Sequence, residues 1–254
     1  MNQIIKIQQP LLENKMSNRV YIQAPILENQ LLTLSQEDMH YLINVLRLGN
    51  SGKIRVFNEQ NGEYQAQIKQ IAKKEYALEI KEKIKDVIKQ RPIKLAVSLI
   101  KNDRFLLALE KVTELGVTEI QPVICERSQY NKLNMERTLK CLKEATEQSE
   151  RFEIPILKTT LTLRELVTSS CYDEIIVCSE KADQNHNLLG IQDNLSKNIC
   201  FLVGAEGGFS KQEFNLMSKC KHISLGNNIL RAETAAIVLV SQIQFLYHTL
   251  DLRG

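Results

Sequence analysis

No stretch of this 254-residue sequence approaches the roughly 20 apolar residues that cross a bilayer. The longest apolar run toward the C-terminus is AAIVLV at 235–240. The N-terminus, MNQIIKIQQP, has neither a continuous apolar segment nor a small-residue cleavage site, so no secretory signal is read there and a cytoplasmic location is expected. The six cysteines, Cys125, Cys141, Cys171, Cys178, Cys200 and Cys220, form no C-x-x-C pair, and no closely spaced histidines complete a ligand set. That argues against a metal site. Cysteines inside apolar runs such as IIVCSE and NICFLV pack as small hydrophobes. Neither a G-x-G-x-x-G fingerprint nor a phosphate loop ending in Gly-Lys-Ser/Thr follows the glycine-rich strand end, which disfavours nicotinamide and nucleoside-triphosphate chemistry. Excess charge of one sign is also missing: a formal charge of +3 permits a nucleic-acid partner without demanding one.

What is present, 43% hydrophobic and 25% charged residues, describes a soluble globular chain of one large domain or two ordinary ones. Residues 19–80 read as short strands. RVYIQ and KIRVFN are rich in β-branched and aromatic residues, YQAQI and YALEI alternate apolar with polar, and Asn61-Gly62 suits a hairpin turn. One helix interrupts them, opened by Ser35 and Asp38 in a capping-box arrangement and carried by Met39, Leu42, Ile43 and Leu46. The polar, basic run KEKIKDVIKQR at 81–91, closed by Pro92, reads as a strand end and linker. Residues 1–18 form an extension in which IQQPLLEN at 7–14 is echoed by IQAPILEN at 22–29, too little for a repeat architecture, and Met16 is a second candidate start.

After Pro92 strands and helices alternate. IKLAVSLI is a buried-strand pattern, RFLLALEKVTELG a helix facing inward through Leu107, Val112 and Leu115 and closed by Gly116, and a further series follows to a last helix at about 233–247. This alternation predicts a mostly parallel sheet covered by helices on both faces, with ligands beyond the carboxyl ends of its strands. Two turns lie there. FLVGAEGGFS at 201–210 gathers three of the chain's ten glycines, Gly204, Gly207 and Gly208, within five positions. SLGNNILRAETAAIVLV at 224–240 carries Arg231 and Glu233 just before an apolar helix. The helix macrodipole accounts for Glu233 but not for Arg231, a cation at the wrong end.

Together these turns resemble the G-P-E-G-G-[FL]-[ST]…E and L-G-x-R-I-L-R-x-E-T-A motifs of the SPOUT superfamily of RNA methyltransferases. KNDRFLLALEKVTELGVTEIQPVICERSQ, EATEQSER and HYLINVLRLGNSGKIRVFNEQNGEYQAQI are similar to segments of one branch, the RsmE family of 16S ribosomal RNA (uracil-N3)-methyltransferases. The resemblance runs from about Arg19 to the C-terminus. It implies a PUA-like β-barrel for RNA binding at 19–84, a linker at 85–92 and an α/β trefoil-knot domain at 93–254. The implied reaction is methylation by S-adenosylmethionine of N3 of one uridine in small-subunit ribosomal RNA, on the assembled subunit, by a homodimer. Carried onto this chain, the cofactor loops are 203–208 and 225–235. Val203, Gly204, Glu206, Gly207, Gly208, Leu225, Gly226, Ile229, Leu230, Thr234 and Ala235 would bind the cofactor, with apolar contact to adenine from Leu225, Ile229 and Leu230 and backbone approach at the glycines. Arg231 would hold a uracil carbonyl as charge develops, and Glu206 would shape the loop near the sulfonium. Arg47, Lys101, Arg104, Arg127 and Arg151 would meet RNA.

Three letters depart from the family pattern: Ala205 for a proline, Asn228 for an arginine, and Glu150 where glycine is common. Two alternatives stand beside this reading. A SPOUT enzyme with another target, such as a ribose 2′-oxygen, would place the methyl elsewhere, and a non-catalytic RNA-binding or ribosome-assembly factor would keep the fold with a weakened cofactor site.

Overall fold

The computed structural model describes residues 18–45, 47–73, 75–182, 186–190 and 198–251. The chain divides into two compact units, residues 1–87 and 88–254. Met16, the first copy of the echoed octapeptide and Leu46 lie outside the described residues.

Unit 1 contains β1 (Arg19–Tyr21), β2 (Leu31–Thr33), α1 (Gln36–His40), a π-helical turn (Tyr41–Val45), β3 (Lys53–Asn58), β4 (Gly62–Ala72) and β5 (Glu75–Lys85). They form a five-stranded sheet in the order β1-β3-β4-β5-β2, antiparallel except for β1 with β3. Alternation along the strands puts Ile54, Val56, Tyr64, Ala66, Ile68, Leu78 and Ile80 into one core with Val20, Ile26 and Leu42. The predicted hairpin joins β3 to β4: buried Asn58 accepts from the backbone of Gln60 and Asn61, and Gly62 takes φ +94°. Ser35 caps α1 by accepting from the Asp38 backbone at 3.0 Å. β5 continues to Lys85, so the first five residues of the basic run are strand rather than linker. β2 lies where the patterning marked no strand.

Unit 2 is built on β6 (Lys94–Ser98), α2 (Asn102–Glu114), β7 (Glu119–Ile124), α3 (Met135–Gln148), β8 (Ile156–Leu157), β9 (Leu161–Thr162), α4 (Leu163–Thr168), β10 (Glu174–Cys178), β11 (Ile199–Val203), α5 (Lys211–Leu216), β12 (Lys221–Ile223) and α6 (Ala232–Asp251). The sheet order is β12-β10-β11-β6-β7-β8, with β9 also on β7, and every pairing is parallel. Both faces are buried, which is why its strands read as continuous apolar runs. Leu95, Val97, Phe201, Val203 and Ile176 face a core closed by Phe105, Leu109 and Val112 of α2 and by Ala236, Leu239, Val240 and Ile243 of α6. Ala96, Cys200, Leu202 and Val177 face the other, closed by Leu163 and Leu166 of α4 and by Met217 after α5. Each fully buried aliphatic or aromatic side chain contributes ~1.5–3 kcal/mol over its exposed state.

α2 ends as its sequence demands. Gly116 at φ +98° lets its N–H reach the Thr113 carbonyl at 3.0 Å, and Val117 reaches Val112 at 2.9 Å, the paired bonds of a Schellman stop. Its inward face corrects the expectation, however. Phe105, Ala108, Leu109 and Val112 are buried, Leu115 is partly buried, and Leu107 is 45% exposed. β8, β9 and α4 lie where the patterning gave no element. Among the described residues, no helix is long and apolar enough to cross a membrane and no cluster of His, Cys, Asp or Glu could hold a metal.

Candidate functional site

The strand order of unit 2 selects a place for a ligand. From β6 the sheet grows toward β7 on one side and toward β11 and β10 on the other, and the chain segments leaving the carboxyl ends of β6 and β11 are neighbours. The first carries Lys101 and Arg104, and the second is the glycine turn 204–208.

That turn is held from several directions. Gly208 at φ +66° donates to the Ala205 carbonyl at 2.9 Å, closing a tight turn. A Cβ on Gly204 would lie 2.7 Å from the Phe209 ring, so this glycine is required by packing beneath the turn. Arg127, following β7, donates to the Gly207 carbonyl at 2.7 Å, and its stem covers that glycine. The exit is fixed by Ser210, which caps α5 in a reciprocal box with Glu213. Glu213 also accepts from the Glu126 backbone at 2.7 Å, and the Ser210 hydroxyl meets the Glu126 carboxylate. Ala205 is buried among Cys125, Phe209 and Met217. Burial pushes the neighbouring Cys125 thiol up to about 11, with the Ala205 backbone N–H acting against that rise. A proline there would have no N–H to offer.

The second turn, 224–231, leaves β12 with Gly226 at φ +133° and exposes Asn228 and Ile229, the latter by 85%. Leu225 and Ala235 pack partly against the core, and Thr234 and Leu230 are half-buried. Arg231 is exposed and makes no ion pair among the described residues. Glu233 is buried at the start of α6, where the helix N-terminus favours an acid.

One guanidinium touches the first turn and the start of α6, just past the second. Arg104 places its NH1 2.5 Å from Glu206 Oε1 and its Nε 3.9 Å from Glu233 Oε1. Of the predicted site residues, Arg104, Arg127, Glu206, Gly204, Gly207 and Gly208 therefore share one neighbourhood, and Arg231 stands two positions from Glu233. Lys101 is exposed just before α2. Arg47, in unit 1, is exposed with a left-handed φ of +55°, a conformation uncommon for a residue with a side chain.

Arg151 requires a correction. It is 4% exposed and donates to the Thr113 carbonyl at 2.6 Å, near the C-terminus of α2, and burial lowers its guanidinium to about 10. A side chain so enclosed is not available to a phosphate. Sequence reasoning also missed the pairing of Glu233 with Arg104. Its signal was a second acid close behind an arginine that the helix does not need.

Two cavities, of about 280 and 650 Å³, lie beside α4 and α5 and include no residue of either glycine turn. The buried thiols are chemically quiet, since burial raises Cys200 to about 12 and Cys178 higher still.

Residues 88–244 match the RNA methyltransferase domain family, and residues 34–81 match the RNA methyltransferase PUA domain family. The Ribosomal RNA small subunit methyltransferase E of Rickettsia conorii is 38% identical over 234 residues, spanning 90% of this chain and 96% of that protein. The protein of the same name from Synechocystis is 33% identical over 85% of this chain and 73% of its own length. Among solved structures, a Legionella pneumophila protein with bound S-adenosylmethionine superposes with a TM-score of 0.81 at 29% identity, covering 90% of this chain and 97% of that one. The Ribosomal RNA small subunit methyltransferase E of Neisseria gonorrhoeae, bound to S-adenosyl methionine, gives 0.77 at 28% identity over 91% and 98%.

Proposed function

The chain belongs to the RNA methyltransferase family whose curated relatives are Ribosomal RNA small subunit methyltransferases E, and on that premise we propose that it methylates N3 of a uridine in small-subunit ribosomal RNA. The observation that carries the reading is that Arg104 links the first glycine turn to the start of α6, just past the second turn, with Arg231 beside it making no ion pair among the described residues. The residues there fit S-adenosylmethionine. Glu206 and Gly207 are exposed and Gly208 half-buried, and the apolar Leu225, Leu230, Ala235 and exposed Ile229 suit a purine. When bound, that cofactor supplies an electrophilic methyl group on a sulfonium.

This chain's residues then have defined tasks. The glycine turns bind and orient, and Glu206 shapes the first turn. Uracil N3 carries a proton at neutral pH, and its loss puts negative charge on the flanking carbonyl oxygens. Arg231, an exposed cation that makes no ion pair among the described residues, stabilises that charge as it develops. Arg47, Lys101 and Arg127 contribute to RNA binding, with Arg127 keeping its hold on Gly207. We place it in the cytoplasm, where ribosomal RNA is found, and as a homodimer, the latter supported by Phe245, which stands 74% exposed on α6.

Replacing Arg231 with Ala tests the assignment. Methyl transfer to small-subunit RNA should fall by roughly 10²–10³-fold, the range for losing a group that stabilises developing charge. Calorimetric affinity for S-adenosylmethionine should stay within about twofold. Unchanged turnover in the variant, or a methyl group located by mass spectrometry on a ribose, would overturn the reading.

A further inference from the structure

Arg104 sits in the first turn of α2, among residues whose sequence pattern assigns it to RNA. The geometry points elsewhere. We propose that Arg104 is a positioning residue for the cofactor cleft, tying the first glycine turn to the start of α6 by spanning the carboxylates of Glu206 and Glu233. The inference rests on the reading that these two turns hold S-adenosylmethionine.

The first support is reach. NH1 engages Glu206 Oε1 at 2.5 Å while Nε lies 3.9 Å from Glu233 Oε1, so two nitrogens of one planar fork address one acid on the first turn and one at the start of α6. A lysine ammonium is a point charge and cannot divide itself in this way. The turns leave β11 and β12, which are separated in the sheet by β10, so a direct strand pairing does not hold them together.

The second support is burial. The Glu233 side chain is 10% exposed, and its Oε2 is shielded from solvent without a hydrogen-bond partner in the described residues. A carboxylate in that setting needs compensation. The α6 N-terminus supplies part of it, and Arg104 is its one ion-pair partner among the described residues.

The third is charge. Arg104, Glu206 and Glu233 together sum to −1. A phosphate approaching this guanidinium would have to displace the Glu206 carboxylate and would meet a second acid behind it. Binding a cationic sulfonium near the same cluster carries no such penalty, and a turn already held in place loses less freedom on binding.

The test separates cofactor from RNA. Binding of S-adenosylmethionine and S-adenosylhomocysteine to RNA-free protein is measured by calorimetry, and binding of a small-subunit RNA fragment to cofactor-free protein is measured across a salt series. Arg104→Met should weaken both cofactor affinities by roughly tenfold, or ~1.4 kcal/mol, and leave the RNA salt slope unchanged. Arg104→Lys should recover only part of the loss. In turnover, KM for the cofactor should rise while kcat at saturation holds within about threefold, a split that a general loss of stability would not produce. Glu206→Gln provides a second entry: it should cost affinity in the unmodified background and little further in Arg104→Met. Cofactor affinity within twofold in Arg104→Met, with the salt slope reduced by about one unit, would overturn the inference and return Arg104 to the RNA surface. If the unmodified protein binds neither ligand at millimolar concentration, the cofactor reading itself fails and takes this inference with it.

Discussion

Gly204→Ala isolates a packing constraint inside the candidate cofactor turn. The added Cβ would stand 2.7 Å from Cζ, 2.9 Å from Cε2 and 3.1 Å from Cε1 of Phe209. Ordinary contact begins near 3.4 Å, so the ring must retreat by about 0.7 Å. It has little room to do so. Phe209 is 5% exposed, packs with Ala205, Cys125 and Met217, and stands edge-to-face on Phe214 with centroids 5.8 Å apart. Overpacking a close-packed interior by one methyl costs ~1–3 kcal/mol. An expected loss of ~2 kcal/mol would lower the midpoint by roughly 4–8 °C for a domain of this size. Urea and thermal unfolding followed by circular dichroism read the change, since the chain has no tryptophan to report by fluorescence. Phe209→Leu in the same chain should return part of the loss, making the double variant more stable than the sum of the single effects by ~1 kcal/mol. Unfolding within ~0.5 kcal/mol of the unmodified protein, with additive double-variant energies, would refute the packing argument. The glycine would then owe its place to the cofactor alone.

Glu150 holds φ +58° immediately past the C-cap of α3, the position where helices favour glycine. Glu150→Gly should therefore stabilise the protein by ~0.5–1 kcal/mol, the left-handed penalty less the entropy of glycine; a loss of stability in urea unfolding would show that the contacts of Glu150 outweigh its strain. Arg151→Met removes the donor to the Thr113 carbonyl and should cost ~1–3 kcal/mol while RNA affinity stays within about twofold; lost RNA affinity at full stability would place Arg151 back among the RNA ligands.

Much of the architecture was written locally. The Asn61-Gly62 turn, the Ser35 cap and the Gly116 stop each depend on a few adjacent residues, and each forms where its chemistry directs. The strands of unit 2 were legible because burial on both faces leaves an unbroken apolar run. The short strands β2, β8 and β9 and the six-residue α4 are too brief to show a period, and their pairing partners are distant in sequence. Leu107 illustrates the same limit: the periodicity of α2 allows more than one inward face, and only the neighbours present decide that Phe105 and Leu109 go inside.

The candidate site divides in the same way. The two turns, their glycines and the unusual place of Arg231 were readable locally, because a strand followed by glycine and a helix start has few conformations, while the role proposed for them came from the family resemblance. Which arginine faces water was not readable. Arg104, Arg127 and Arg151 are identical letters in similar motifs, yet one bridges two acids, one holds a carbonyl of the glycine turn, and one is buried against a helix end. Charge and burial are set by what arrives from 80 to 130 residues away, as Glu206, Gly207 and Glu233 do here. The sequence by itself determined most of the longer elements, the alternation of strands and helices in unit 2 and the turns that could bind. Only the tertiary structure decided how each cation is used, because an ion pair or a buried hydrogen bond exists only after the packing that brings its two halves together.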